Sequence, residues 1–442
     1  MADASVAGAD LQAETVEVLQ RLIRFNTVNP PGAEREAIDY LEAYLRPAGF
    51  QTERLAADPD RPNLVATLPG HDPDGPTLVY LGHVDTVLAA PTDWRHDPWS
   101  AVIADGHLWG RGALDMKNQV AAEAVAAVAL ARAGWRPARG ALKLVFVADE
   151  ETGGEVGARW LTQRHADRVR CDLLINEGAG APFDFEGRRY YGVCCGEKGI
   201  FRFRLTARGV AGHASMPRLG DNALLKLAPV IAALRPGFAG YDMTEAPLLM
   251  LEALGLDPTD IPAAIERLAA KDPLLPVVIE PMLSVTLTPT MVSASEKMNV
   301  IPARAQLKVD CRVPPGLGED LALRRLHELL GETSTGLEIE FTERVYGYQS
   351  PARSRLMEAI EGWLATAVPE ARAIPVLLPG YSDSSHFRAA FPDLIAYGFF
   401  PHRHQTLAAS EPLMHNADER IDVRDLGFAA GCYADLAREL LG

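Results

Sequence analysis

Apolar residues recur along this chain with two periods, and the alternation between them outlines the fold. Thr15, Leu19, Leu22 and Ile23 fall on one helical face, and Asn29-Pro30-Pro31-Gly32 is predicted to end that element. A second helix is predicted over 34–46, with Ile38, Leu41 and Leu45 inward and Pro47 as the stop. Short apolar runs at 64–68, 78–81, 142–147 and 173–175 read as buried strands, and the helical patterns at 119–133 and 155–164 separate some of them. That order predicts an α/β fold, a mixed but mostly parallel sheet with flanking helices. Near Gly199 the period changes: Phe201, Phe203 and Leu205 alternate with Arg202, Arg204 and Thr206, the mark of a strand with one buried face. A helix at 222–234, a Leu- and Pro-rich insert, and strands at 283–288 and 305–313 follow. The expected organisation is one domain from 1–198 and 314–442, with an α+β unit, 199–313, inserted into it.

Composition narrows the class. A chain of 442 residues is too long for one ordinary core, and 48% hydrophobic with 23% charged residues is a soluble globular mix. The longest apolar runs, such as 142–148, are far too short to span a bilayer, so no membrane association is expected. Residues 1–14 lack a basic stretch followed by an apolar one, so no signal peptide is expected. Cys171, Cys194, Cys195, Cys311 and Cys432 are few, odd in number and without CxxC spacing, which points to a reducing compartment and a cytoplasmic protein. A formal net charge of −16 argues against nucleic acid as a partner. Acidic metal ligands account for part of that charge if cations bind.

Four segments carry candidate chemistry. Leu81-Gly82-His83-Val84-Asp85 places a histidine and a carboxylate on one side of an extended strand end; alone, such a pair is more often an ordinary surface or capping feature. In Gly110-Arg111-Gly112-Ala113-Leu114-Asp115-Met116-Lys117, glycines bracket an acid just before a helix, where Asp115 would serve equally well as an N-cap. Asp149-Glu150-Glu151 follows the strand at 142–147, and three adjacent carboxylates need cations or open solvent. Glu177 follows the strand at 173–175. Ligand sites of α/β sheets lie beyond the carboxyl ends of strands, so these residues are expected to converge on one edge.

Jointly, LGHVDTV (81–87), GRGALDMKN (110–118), ADEETGG (148–154) and GVAGHASMPRLGDNAL (209–224) resemble one family of zinc-dependent metallopeptidases and amidohydrolases. It includes aminoacylase, acetylornithine deacetylase, succinyl-diaminopimelate desuccinylase, glutamate carboxypeptidase and carboxypeptidase S. The opening RFNTVNPPGAE (24–34) is similar to the family's first helix and loop. The resemblance covers nearly the whole chain and implies two Zn2+ ions, with Co2+ or Mn2+ as substitutes. By resemblance His83 and Glu177 bind one ion, Glu151 and His415 the other, and Asp115 bridges both. Asp85 orients His83, Glu150 is the general base, and the Asp115–Met116 bond is cis. The inserted unit is then a lid and dimerisation domain, and a homodimer through it is expected. His213 of that unit donates to the developing oxyanion, often across a dimer, while Asn299, Arg312 and Gly380 contact the substrate. The chain departs from the family where many members have GGTDA, here Gly380-Tyr381-Ser382-Asp383-Ser384-Ser385-His386. His386, His402 and His404 compete with His415 for the last ligand position; NADERI (416–421) matches the family's closing segment and favours His415.

The implied activity is hydrolysis of the amide bond of an N-acyl amino acid. A dipeptidase or carboxypeptidase acting on a short peptide uses the same residues, and a non-catalytic relative would have lost a ligand or the base. No GxSxG elbow accompanies Ser382, Ser384 and Ser385, which argues against a serine hydrolase.

Overall fold

Strands with helices on both faces bury every side chain, and so they appear in sequence as unbroken apolar runs. In the computed structural model, which describes residues 8–442, this is the situation of the central strands. Residues 1–7, part of the segment from which no signal peptide is expected, lie outside the described residues.

The first helices are α1 (Gly8–Arg24) and α2 (Arg35–Leu45), followed by strands β1 (Gln51–Leu55), β2 (Asn63–Pro69) and β3 (Asp72–His83). Two short strands, β4 (Ile103–Ala104) and β5 (His107–Trp109), precede α3 (Lys117–Arg132), β6 (Arg139–Val147), α4 (Ala158–Arg164), α5 (Ala166–Val169) and β7 (Leu173–Asn176). A hairpin, β8 (Pro182–Phe185) and β9 (Arg188–Glu197), leads into β10 (Gly199–Ile200), β11 (Phe203–Arg208) and β12 (Gly212–His213). Then come helices α6 (Ala223–Ala233), α7 (Glu245–Ala253), α8 (Ile261–Lys271) and α9 (Leu274–Ile279), and strands β13 (Thr286–Ser293), β14 (Val300–Ile301) and β15 (Arg304–Val313). The remainder is α10 (Glu319–Leu330), β16 (Glu338–Phe341), α11 (Arg355–Ala367), β17 (Ala371–Leu378), α12 (Ser384–Ala390), β18 (Ile395–Gly398), α13 (Leu407–Ser410), β19 (Arg420–Asp422) and α14 (Val423–Leu441).

The chain divides into two compact units. The first comprises residues 1–195, 350–376 and 382–442, and the second 196–349 and 377–381. Residues 314–349, which the change of period had assigned to the first domain, group with the second: β16 pairs antiparallel with β11 and continues its sheet.

The first unit is built on a sheet of order β1-β2-β6-β3-β7-β18-β9-β17, with β8 on β9. Its centre, β6, β3, β7 and β18, is parallel, and β1, β2 and β9 join it antiparallel. This is the predicted mixed, mostly parallel α/β fold. Val79, Leu81, Val145 and Val147 pack with Leu161 of α4 and Phe387 of α12 on one face. On the other face α3 and α14 lie against β3 and β6, and the buried Tyr80 hydroxyl donates to the Tyr433 carbonyl of α14 at 2.5 Å. Helix α3 has every residue from Lys117 to Ala131 buried, its alanines letting α1 and α14 approach closely. The α1 helix stops at Arg24, before the Pro-rich segment expected to end it; the buried Lys117 ammonium takes the carbonyls of Leu22 and Phe25 at its end.

The second unit has an antiparallel sheet of order β10-β15-β11-β16, with β13 on β15. Phe203 and Leu205 of β11 face Leu227 and Val230 of α6 and Leu326 of α10. The alternate residues face outward and pair with acids, Arg204 with Glu340 and Arg208 with Glu338, which is the alternation the sequence displays. In the Leu-rich insert, Met250 and Leu251 are core residues while Leu248 is exposed.

Candidate metal centre

Because β3, β6 and β7 run parallel, their carboxyl ends open on one edge of the sheet. β3 ends at His83; Glu150 and Glu151 begin a short 3-10 turn after β6; Glu177 follows β7 directly. Asp115 stands in the loop ahead of α3, and His415 in the turn ahead of β19. These segments, spread over more than 330 positions of sequence, meet in two groups of three: His83, Asp115 and Glu177, and Asp115, Glu151 and His415, each with its ligand atoms within 4.8 Å of one another. His83 Nε2 is 3.1 Å from Asp115 Oδ1 and 3.6 Å from Glu177 Oε2. His415 Nε2 is 2.9 Å from Asp115 Oδ2 and 3.4 Å from Glu151 Oε2. Asp115 thus presents one oxygen to each group. It does not cap α3, whose N-cap is Met116 without a side-chain bond. The Asp115–Met116 peptide is cis, as expected.

Asp85 ties both groups together. Its backbone carbonyl lies 3.1 Å and its Oδ1 3.5 Å from His83 Nδ1, so His83 turns its other nitrogen toward Asp115. The same carboxylate accepts from the backbone N–H of Glu150 at 3.1 Å and of Glu151 at 3.2 Å. Asn29 donates to it at 2.9 Å and also reaches Asp149 and Thr152. Asp149, the first of the three adjacent acids, is therefore neither solvated nor a ligand. Although burial opposes it, bonds from Thr152, Asn29, the Val156 N–H and Arg61 hold its carboxyl below the ordinary range.

The electrostatics fit cations. Burial, with Asp115 nearby, pushes Glu177 up to about 7. Burial and the charge of Glu177 push Glu150 well above the carboxylate range. His415, hydrogen-bonded to Asp115 and Glu151, rises to about 10, and the buried His83 is raised against its desolvation by Glu177, Asp115 and Asp85. In each group, then, the imidazole is driven to carry the positive charge that the carboxylates call for. Two imidazoles and three carboxylates, one of them shared, are the donor set of a two-ion site of borderline-soft divalent metals. Glu150 belongs to neither group.

The competing histidines lie elsewhere. His402 Nδ1 is 3.4 Å from Asp425 Oδ2 and the His404 N–H donates to the same carboxylate, while His386 stands beside Gly154, in neither ligand group, where burial pushes it down to about 4. Ser384 accepts from Asn176 at 3.0 Å. Four candidates fall in the second unit. His213, exposed on β12, has Nδ1 2.7 Å from Ser215 Oγ and accepts the Ser215 N–H there at 3.3 Å. The Asn299 carbonyl accepts from the Ala214 N–H, and Arg312 Nε donates to Asp310 at 2.8 Å. Gly380 is half-buried, and a Cβ there would meet nothing nearer than Leu378 at 3.7 Å, so local packing does not demand a glycine. Asn29, Arg61 and Asp383 were given no role in the site from sequence. Asp383 is buried, and burial together with the charges of Asp85, Glu177 and Asp149 raises its carboxyl well above its ordinary value. The one available signal was the NPP segment, since only the fold brings Asn29 to Asp85.

The α/β fold and a carboxylate shared between two ligand groups define the class, a metal-dependent hydrolase, and comparison with known proteins agrees. Residues 79–439 match peptidase family M20/M25/M40, and the chain belongs to that family, as its motifs predicted. Succinyl-diaminopimelate desuccinylase 2 of Ruegeria sp. (strain TM1040) is 35% identical over 246 residues, 54% of this chain and 58% of the relative. The matched stretch therefore spans less than two thirds of that relative's length. Aminoacylase-1 of Mus musculus is 26% identical over 92% of this chain and 90% of its own. In three dimensions the M20 family metallo-carboxypeptidase Sso-CP2 of Sulfolobus solfataricus superposes with a TM-score of 0.72 at 19% identity, covering 97% of this chain and 99% of that one, which establishes the shared fold.

Proposed function

We propose that the protein is a two-zinc amidohydrolase that cuts the amide bond of N-acyl amino acids. The observation that carries this reading is Asp115, whose two oxygens serve two separate ligand groups. His83, Asp115 and Glu177 would hold one ion and Asp115, Glu151 and His415 the other. Such a pair supplies Lewis acidity, lowering the pKa of a water and polarising the scissile carbonyl, and Co2+ or Mn2+ would serve in place of zinc. Glu150, unclaimed by either group, takes the proton of the attacking water and passes it to the departing nitrogen. Its raised pKa suits a carboxylate that must accept a proton and then give it up. Asp85 holds the backbone of Glu150 in place while orienting His83.

His213 is the donor for the developing oxyanion. Asn299 and Arg312 recognise the substrate carboxylate, and Gly380 contributes a backbone contact. The second unit, residues 196–349 and 377–381, acts as the lid and as the surface of a homodimer. No described helix is long and apolar enough to cross a membrane. The protein is read as cytoplasmic, acting on a small molecule rather than on nucleic acid or membrane.

The relatives favour acyl over peptide substrates, since two carry the names desuccinylase and aminoacylase. A hydrolysis panel of N-acyl amino acids and dipeptides, run with and without a chelator, tests this. Amine release from acyl substrates that stops on chelation is expected. Preference for dipeptides makes the protein a dipeptidase or carboxypeptidase, and inertness toward every amide after zinc addition leaves a non-catalytic relative.

A further inference from the structure

Glu419 is fully buried, four residues beyond His415, at the entry to β19. Its carboxylate accepts four donors from a single loop. Oε2 takes Arg111 Nη1 at 2.5 Å and the Gly112 N–H at 3.2 Å; Oε1 takes the N–H groups of Leu114 at 2.6 Å and Asp115 at 3.2 Å. Its own carbonyl accepts a fifth bond, from the Gly110 N–H at 3.0 Å. Residues 110–115 are thus wrapped around one side chain, and Asp115 is the last of them.

A carboxylate offers about four lone-pair positions, and here all four have a donor. Three of the donors are backbone groups, so the carboxylate sets the path of the main chain and not merely the pose of a side chain. Arg111 offsets the charge, stacks over the Trp94 ring and donates to the Leu88 carbonyl. The segment from His415 to Glu419 brings one ligand of its own, while Glu419 grips the loop that bears the shared one. Its position therefore determines where the two oxygens of Asp115 stand between His83 and His415.

We propose that Glu419 is a positioning residue that fixes the Asp115 carboxylate between the two ligand groups and so sets the affinity of both metal positions together. This rests on the two-ion reading above. A residue serving only as partner to Arg111 would affect folding and leave the two affinities alone.

The test uses the full chain, stripped of metal and titrated with zinc alone against a competing chelator, with a thermal melt of each metal-free protein. Glu419→Gln keeps the size but offers one oxygen, with an amide facing N–H groups. It is expected to weaken both zinc positions by comparable factors, about 10–100-fold, while still melting cooperatively. Arg111→Lys leaves the carboxylate and its three backbone bonds in place, and is expected to lower the melting temperature while keeping both affinities near wild type. Should Glu419→Gln not accumulate as folded protein, Glu419→Asp asks the same question, since it keeps the charge and shortens the reach; both affinities must still fall. Wild-type affinity at either position in the Glu419 variants, or an equal loss in Arg111→Lys, overturns the inference. A wild-type protein binding fewer than two zinc ions instead removes the two-ion reading, and the inference with it.

Discussion

At φ +57 and φ +74, His415 and Asp149 hold backbone conformations that residues with side chains rarely adopt, and both sit where loops turn toward the ligand groups. Such outliers persist only when their surroundings over-determine them. For Asp149 the surroundings are visible as Asn29, Thr152, Arg61 and the Val156 N–H. The neighbouring acids show how position decides chemistry among adjacent carboxylates: Asp149 is neutralised by protein donors, Glu151 joins a ligand group, and Glu150 stays outside both. Glu150→Ala is accordingly expected to lower kcat by at least roughly 10^2–10^4-fold with zinc content unchanged. Turnover assays alongside elemental analysis check this, and joint loss of metal and activity would make Glu150 a ligand.

Among elements, α3 is the most constrained. Its run of buried alanines lies between α1, α14 and β3, so a larger side chain has nowhere to go. Ala124→Leu is expected to destabilise the protein by about 1–3 kcal/mol, read from chemical denaturation. In the second unit, Lys198 stitches the end of the helical insert to the sheet, donating to the carbonyls of Pro281 and Ser284 at 2.8 Å. Burial pushes its ammonium down to about 7 from the ordinary 10.5. The unfolded chain keeps that proton until pH approaches 10.5, so across this window the unfolded state binds more protons and folding gains as pH rises. Urea unfolding at pH 7 and pH 9 should show wild type gaining stability relative to Lys198→Met; an unchanged difference would place the proton elsewhere. The sequence showed the central strands β2, β3, β6 and β7 plainly because burial on both faces leaves only apolar residues. It was silent on β4, β5 and β19, which are two or three residues long and owe their existence to pairing with one another.

For the molecule as a whole, bound cations link the site to stability, because they join loops that follow three separate strands. Chelation is expected to lower the melting temperature of the first unit and zinc to restore it, each ion contributing roughly 2.7 kcal/mol at a hundredfold excess over its Kd. Calorimetry with and without chelator checks this, and identical melts would mean that the ligand groups hold no metal.

The order of the central strands and the helices between them, the parallel sheet centre, the one-sided sheet of the second unit and the residues of both ligand groups were written in local pattern and motif. Periodicity records which face of an element is buried, and short motifs record chemistry that tolerates little exchange. Only the folded chain decided that residues 314–349 join the second unit, since β16 finds its partner β11 more than 130 positions earlier. Only the fold, too, supplied the partners of the ligands, Asn29 on Asp85 and Glu419 on the Asp115 loop. A hydrogen bond between residues 56 or 304 positions apart leaves no periodic trace, because it depends on two surfaces meeting and not on the neighbours of either residue along the chain.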